Sequence, residues 1–195
     1  MKRLIIRLLV VAVMVLAATS AFADYSYTFD ANTSSVVGQT GYIELQYNPG
    51  ISSLGASSAV LSNFTSDATL VGSAALTGDA SGQLPSTVTI KNTTQLNDYF
   101  QQLTFGSNLQ FSLNLSGASG NSFGLSFWGS DGATPLLTTD TANGFATIID
   151  FNANGAVVNN NSNQVSIIPT PIPAAALLFG SGLLGLAGIR KRMNA

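Results

Sequence analysis

Asn108-Leu109-Gln110-Phe111-Ser112-Leu113-Asn114-Leu115-Ser116 alternates polar and apolar side chains over its whole length. A period of two puts Leu109, Phe111, Leu113 and Leu115 on one face of an extended chain, with the amides and hydroxyls on the other. This is the pattern of a half-buried strand, and it recurs on both sides. Tyr25, Tyr27 and Phe29 obey it, as do Ile43, Leu45 and Tyr47, and later Phe123, Leu125 and Phe127. Weaker runs predict strands near 58–64, 67–72, 86–91, 100–105, 135–139, 145–151 and 164–168. No stretch of the body holds a 3.6-residue apolar period built from helix formers; 95–103 comes nearest and predicts one short turn. Turn residues separate the runs, among them Asn48-Pro49-Gly50, Ser130-Asp131-Gly132 and Asn154-Gly155. Short strands punctuated in this way predict an all-β domain, an antiparallel β-sandwich of jelly-roll-like kind. That body is expected over 24–168, between an N-terminal signal helix and a C-terminal apolar helix. The Asn-rich stretch 159–163 reads as a hairpin tip or as the start of a linker to the C-terminal segment.

The chain of 195 residues carries seven Lys and Arg, nine Asp and Glu, and neither His nor Cys. Its mean hydropathy of +0.33 suggests a membrane protein until the apolar residues are located. They gather at the two ends, and so do the cations: Lys2, Arg3 and Arg7 at one, Arg190, Lys191 and Arg192 at the other. Between them stand a single cation, Lys91, and all nine acids, a net charge of −8. An acidic body repels phosphate backbones, which excludes nucleic acid as a partner. Without Cys there is no disulfide framework, thiolate nucleophile or zinc–sulfur site. Without His there is no Ser-His-Asp triad and no imidazole ligand.

Residues 1–23 read as a secretory signal peptide. Lys2, Arg3 and Arg7 form its basic start, 8–18 its apolar run, and Ala21-Phe22-Ala23 its small-x-small cleavage site, which makes Asp24 the mature N-terminus. The Sec translocon and signal peptidase are the partners this implies, with an uncleaved anchor as the alternative. At the other end Pro169, Pro171 and Pro173 are expected to break structure leaving the body. Residues 174–189 carry no charge and are closed by Arg190-Lys191-Arg192. As a helix this run is about 24 Å long against a hydrocarbon core of about 30 Å, a marginal permanent anchor. The basic cluster belongs on the cytoplasmic side, which leaves the body across the membrane. Gly180-Ser181-Gly182-Leu183-Leu184-Gly185 matches a dinucleotide-binding fingerprint, but the chain ends ten residues later without the required βα unit and acid. No cofactor is expected.

Thr170-Pro171-Ile172-Pro173-Ala174, followed by AALLFGSGLLGLAGIRKR, resembles the PEP-CTERM protein-sorting signal. It is most similar to the Val-Pro-Leu-Pro-Ala variant, with Ile172 where the namesake motif has Glu between two prolines. The resemblance covers 169–195. It implies a Gram-negative bacterium, export through an inner-membrane intermediate, and recognition by an exosortase, a membrane-embedded transpeptidase-like protease. It further implies release or transfer of the body to the cell envelope or extracellular matrix, in association with exopolysaccharide. Three body segments, 76–94, 97–117 and 134–155, resemble a group of PEP-CTERM proteins with β-sandwich-like ectodomains; this supplies no activity.

Within the body, Asp150-Phe151-Asn152-Ala153-Asn154-Gly155 matches the first half of a calcium loop. Position twelve of that loop is Asn161 rather than a bidentate Glu, and the same residues read as a strand entering an Asn-Gly hairpin that returns through Val157 and Val158. No metal ligand set follows. Glu44, the single Glu, falls on the polar face of a predicted strand, and the Asp residues fall mostly in turns, so no catalytic residue is selected. The expectation is a non-enzymatic protein. A carbohydrate-binding, lectin-like module is the sharper alternative, because Phe127 facing inward puts Trp128 outward as a glycan contact or at a strand end, where it would close one end of the sandwich, with Asp131 close behind. A surface protein held unprocessed by its C-terminal helix is the other.

Overall fold

The computed structural model describes residues 24–50, 55–152 and 154–170, and these are all-β. Fourteen strands occur among them: β1 (Tyr25–Asn32), β2 (Thr40–Pro49), β3 (Ser57–Ser66), β4 (Thr69–Leu70), β5 (Ala75–Thr77), β6 (Ala80–Gly82), β7 (Val88–Lys91), β8 (Asp98–Thr104), β9 (Asn108–Gly117), β10 (Asn121–Trp128), β11 (Pro135–Leu136), β12 (Phe145–Asn152), β13 (Gly155–Asn160) and β14 (Val165–Thr170). Every pairing between them is antiparallel. One sheet has six strands in the order β14-β1-β9-β3-β7-β6. The other has eight: β13-β12-β10-β2-β8-β4 form its path, β11 adds to β10 and β5 to β8.

The alternation explains how the sheets meet. Leu109, Phe111, Leu113 and Leu115 of β9 are buried, as are Phe29 of β1 and Leu61 of β3. From the other sheet Ile43, Leu45 and Tyr47 of β2, Leu103 of β8 and Phe123, Leu125 and Phe127 of β10 join the same core. Phe29 stacks on Phe111 within its own sheet at 4.7 Å and meets Phe123 of the opposite sheet edge-on at 5.9 Å. Such aromatic pairs contribute roughly 0.5–1.5 kcal/mol each beyond the area they bury. The two sheets thus share one core in a sandwich-like arrangement. The buried phenols keep partners: Tyr99 Oη accepts from Leu84 N–H at 2.9 Å and donates to Gln101 Oε1, while Tyr47 Oη pairs with Ser57 Oγ.

Three local expectations need correction. The turn expected within 95–103 is not helical, because Tyr99, Gln101 and Leu103 alternate inward as β8. Buried Asn97 precedes that strand and pins it to β2, donating from Nδ2 to Tyr47 O and from its backbone N–H to Asn48 Oδ1. The body does not stop at 168, since β14 continues through Pro169 and Thr170, opposite Tyr27 and Ser26. Pro169 is tolerated there because β14 is an edge strand, where a missing N–H costs no ladder bond on the open side. The Asn-rich stretch is neither a hairpin tip nor a linker; it ends β13 and turns the chain across to β14 in the other sheet. A single turn of 3₁₀-helix at Ser34–Val36 had no signal in the sequence. Among the described residues no helix is long and apolar enough to cross a membrane.

Candidate functional site

The outward positions of the eight-stranded sheet hold the chemistry of the molecule. Period two along β2 turns Tyr42, Glu44, Gln46 and Asn48 away from the core while Ile43, Leu45 and Tyr47 fill it. Register then sets their neighbours. Glu44 lies between Ser126 of β10 and Phe100 of β8; Gln46 lies between Gly124 and Asp98; Tyr42 lies between Trp128 and Gln102.

Glu44 is the hub of this face. Trp128 Nε1–H donates to its Oε2 at 2.7 Å, and Gln46 Nε2–H donates to its Oε1 at 2.8 Å. Asn48 Nδ2–H in turn donates to Gln46 Oε1 at 3.1 Å, so a polar row runs along β2. Beside it the rings of Tyr42 and Phe100 stack at 4.5 Å with an interplanar angle of 17°. Gly132, in the left-handed region at φ 67°, lies beside this stack, where an added Cβ would come into van der Waals contact with both rings. The turn carrying Gly132 is tied by Asp131, whose carboxylate accepts from the N–H groups of Ala133 and Thr134 and from Thr134 Oγ1–H. Those donors hold Asp131 down at about 2.

Asp98 behaves in the opposite way. Burial first, and the charge of Glu44 second, push its carboxyl up to about 7, against a lowering by the Tyr99 backbone N–H. Its Oδ1 is buried and has no hydrogen-bond partner. Ser126, 1 % exposed and directly opposite Glu44, has a buried Oγ that is likewise unpartnered. Two orphaned polar atoms thus flank one acceptor-rich carboxylate.

Trp128 sits on this outer face as its alternation with Phe127 predicts, but it is half-buried and committed to Glu44. Its six-membered ring packs on Gly144, where a Cβ would overlap the indole. The calcium-like string forms the β12–β13 hairpin, with Asn152 opposite Gly155. Both Asp150 carboxylate oxygens are used within the sheet, by Ser122 Oγ–H at 2.7 Å and Asn159 Nδ2–H at 3.0 Å. Among the described residues no three acidic side chains gather to hold a metal ion. Asp24 is exposed at the start of the body. Ala21, Ala23, Pro171, Ile172, Pro173, Ala174, Arg190, Lys191 and Arg192 lie outside the described residues.

The diagonal placement of Asp98 beside Glu44, across the β2–β8 pairing, is what the sequence reading passed over. It depends on β2–β8 register across more than fifty residues of chain, which alternation alone does not carry. A signal for the aromatics was present: Tyr42 and Phe100 are the rings that fall on the polar side of their strands. Compared with known proteins, the chain matches no family model, no curated protein and no solved structure.

Proposed function

We infer that this is an exported, non-enzymatic protein of the cell envelope or extracellular matrix, sorted by an exosortase and associated with exopolysaccharide. Residues 1–23 route it through the Sec translocon, signal peptidase frees Asp24, and the tail beyond Thr170 holds it at the inner membrane until processing. The observation that supports this most is how the two addresses bracket the folded body. Strand β1 opens at Tyr25, one residue after the expected cleavage point, and β14 runs to Thr170, the last described residue, next to Pro171-Ile172-Pro173 in the sequence. The two strands are also partners, Ser26 opposite Thr170, so both ends of the body leave from one edge of the six-stranded sheet. A body tethered through either end would meet the membrane with the same side. The finer architecture we assign with it is a jelly-roll-like sandwich between a signal helix and an apolar helix; repeated passage between sheets, at β1–β2, β2–β3, β3–β4, β5–β6, β7–β8, β8–β9, β9–β10 and β13–β14, supports the first part.

Intact mass measurement of the protein from the cells that make it tests the scheme. A species beginning at Asp24 and ending between Thr170 and Ala174 is expected. A chain that retains Ala195 overturns exosortase processing and leaves the C-terminally anchored surface protein in its place.

A further inference from the structure

We propose that the outer face of the eight-stranded sheet binds a saccharide chain that is neutral or carries amines, its rings laid against Tyr42, Phe100 and Trp128 and its donors directed at Glu44 and Asp98. The proposal deepens the exopolysaccharide association inferred above by naming a site and a ligand class, and the site rests on geometry independent of how the tail is processed.

Three features of the face converge on a sugar. The first is an excess of acceptors over donors. A carboxylate presents about four lone-pair sites, and half-buried Glu44 receives hydrogen bonds from Gln46 and Trp128 alone among the described residues. The second is an unpartnered hydroxyl. Ser126 is 1 % exposed, its Oγ is without a partner, and it stands in register opposite Glu44, so the polar floor extends under the carboxylate without being satisfied by the protein. The third is the flanking apolar surface: the Tyr42–Phe100 stack on one side of Glu44 and the indole of Trp128 on the other, all half-buried, with Phe145 beyond Ser126 on the same face. A pyranose ring offers both matching surfaces at once, an apolar face of C–H groups and a rim of O–H or N–H donors.

Charge narrows the class. Lys91 is the one cation among the described residues, and it stands exposed at the end of β7 in the other sheet. Glu44 and Asp98 therefore face a ligand without a counterion, in a body of net charge −8. A uronic-acid chain would be repelled; a hydroxyl-rich chain is accepted by hydrogen bonding alone, and an amine adds a cation to the acids and to the aromatic faces. An apolar peptide would strip both carboxylates of solvent without replacing their donors.

Titration calorimetry on the protein recovered from producing cells, in whatever processed form it takes, tests this with three soluble probes: cellohexaose, a glucosamine hexamer and a galacturonate hexamer. Saturable binding of at least one of the first two is expected, with the glucosamine hexamer favoured if amines count, and none of the third. Glu44→Gln, close to isosteric, and Phe100→Ala each weaken that binding at least tenfold with circular dichroism unchanged, whereas Asn114→Ala, on the outer side of the other sheet, leaves it unaltered. Should Phe100→Ala lose its fold, Tyr42→Ala tests the same stack from its other ring. Failure of both sugar probes to bind, equal binding of the galacturonate hexamer, or binding unchanged in Glu44→Gln overturns the proposal. None of these readings depends on where the tail is cut, so they leave the sorting scheme to its own test.

Discussion

Asp98 and Glu44 show how far a strand's polar face departs from an ordinary solvated surface. In the unfolded chain Asp98 ionises near its ordinary value of 3.8, whereas in the folded protein it does so at about 7. The folded state thus binds the proton more tightly, and this residue costs nothing below about pH 4, where both states hold the proton. As pH rises to about 7 the unfolded chain gains by ionising and stability falls; above that the penalty is constant. Three pKa units would correspond to about 4 kcal/mol, and solvent screening at this partly open position lowers that to on the order of 2 kcal/mol. Asp98→Asn is therefore expected to match the wild type in urea denaturation near pH 4 and to exceed it by that margin at pH 7.5. A difference that is flat across this range, or of opposite sign, removes the carboxyl pair from the account. The alternation of Tyr42-Ile43-Glu44-Leu45 already places Glu44 outward. What the sequence withholds is its neighbour, because register between β2 and β8 comes from packing both strands on the opposite sheet.

At the scale of elements, legibility follows burial. Strands β1, β2, β9 and β10 each sink three or more apolar side chains into the core, and their alternation is plain in the sequence. Strands β5 and β6 are three residues each, mostly exposed, and hold no such pattern; they form because β8 and β7 offer open edges to pair with. β14 is the instructive case. Its proline argued for an ending, yet Val165 is buried, Ile167 packs against the core, and six residue pairs bind it to β1. Removing it uncovers the edge of β1 and the apolar side of Phe29, a template for pairing with another chain. A chain stopped after Gln164 is expected to aggregate, whereas one stopped after Thr170 elutes as a folded monomer or defined oligomer in size-exclusion chromatography. Equal behaviour of the two truncations would show that β14 is dispensable and return the boundary to 168.

For the whole molecule, the charge distribution matters more than the mean hydropathy. A body with nine acids and one cation lies between two apolar ends that carry the other six cations, three at each. In the sorting proposal these ends do different work. The first is consumed at translocation, whereas the second has to arrest the chain with a run of sixteen uncharged residues, 174–189, that is short for a bilayer. A segment of marginal length leans on its flanks: each cation at the cytoplasmic boundary opposes passage, at a cost of about 2.5–3.5 kcal/mol for a charge placed at the membrane centre. The body supplies no such brake, being acidic and already across. Replacing Arg190, Lys191 and Arg192 together with Ser is therefore expected to shift the protein from the membrane fraction to the medium with its tail uncut, visible as a larger secreted species by intact mass. Retention and processing equal to the unaltered chain would mean that the apolar run alone holds the tail, and that the basic cluster is not the stop on which exosortase recognition was built.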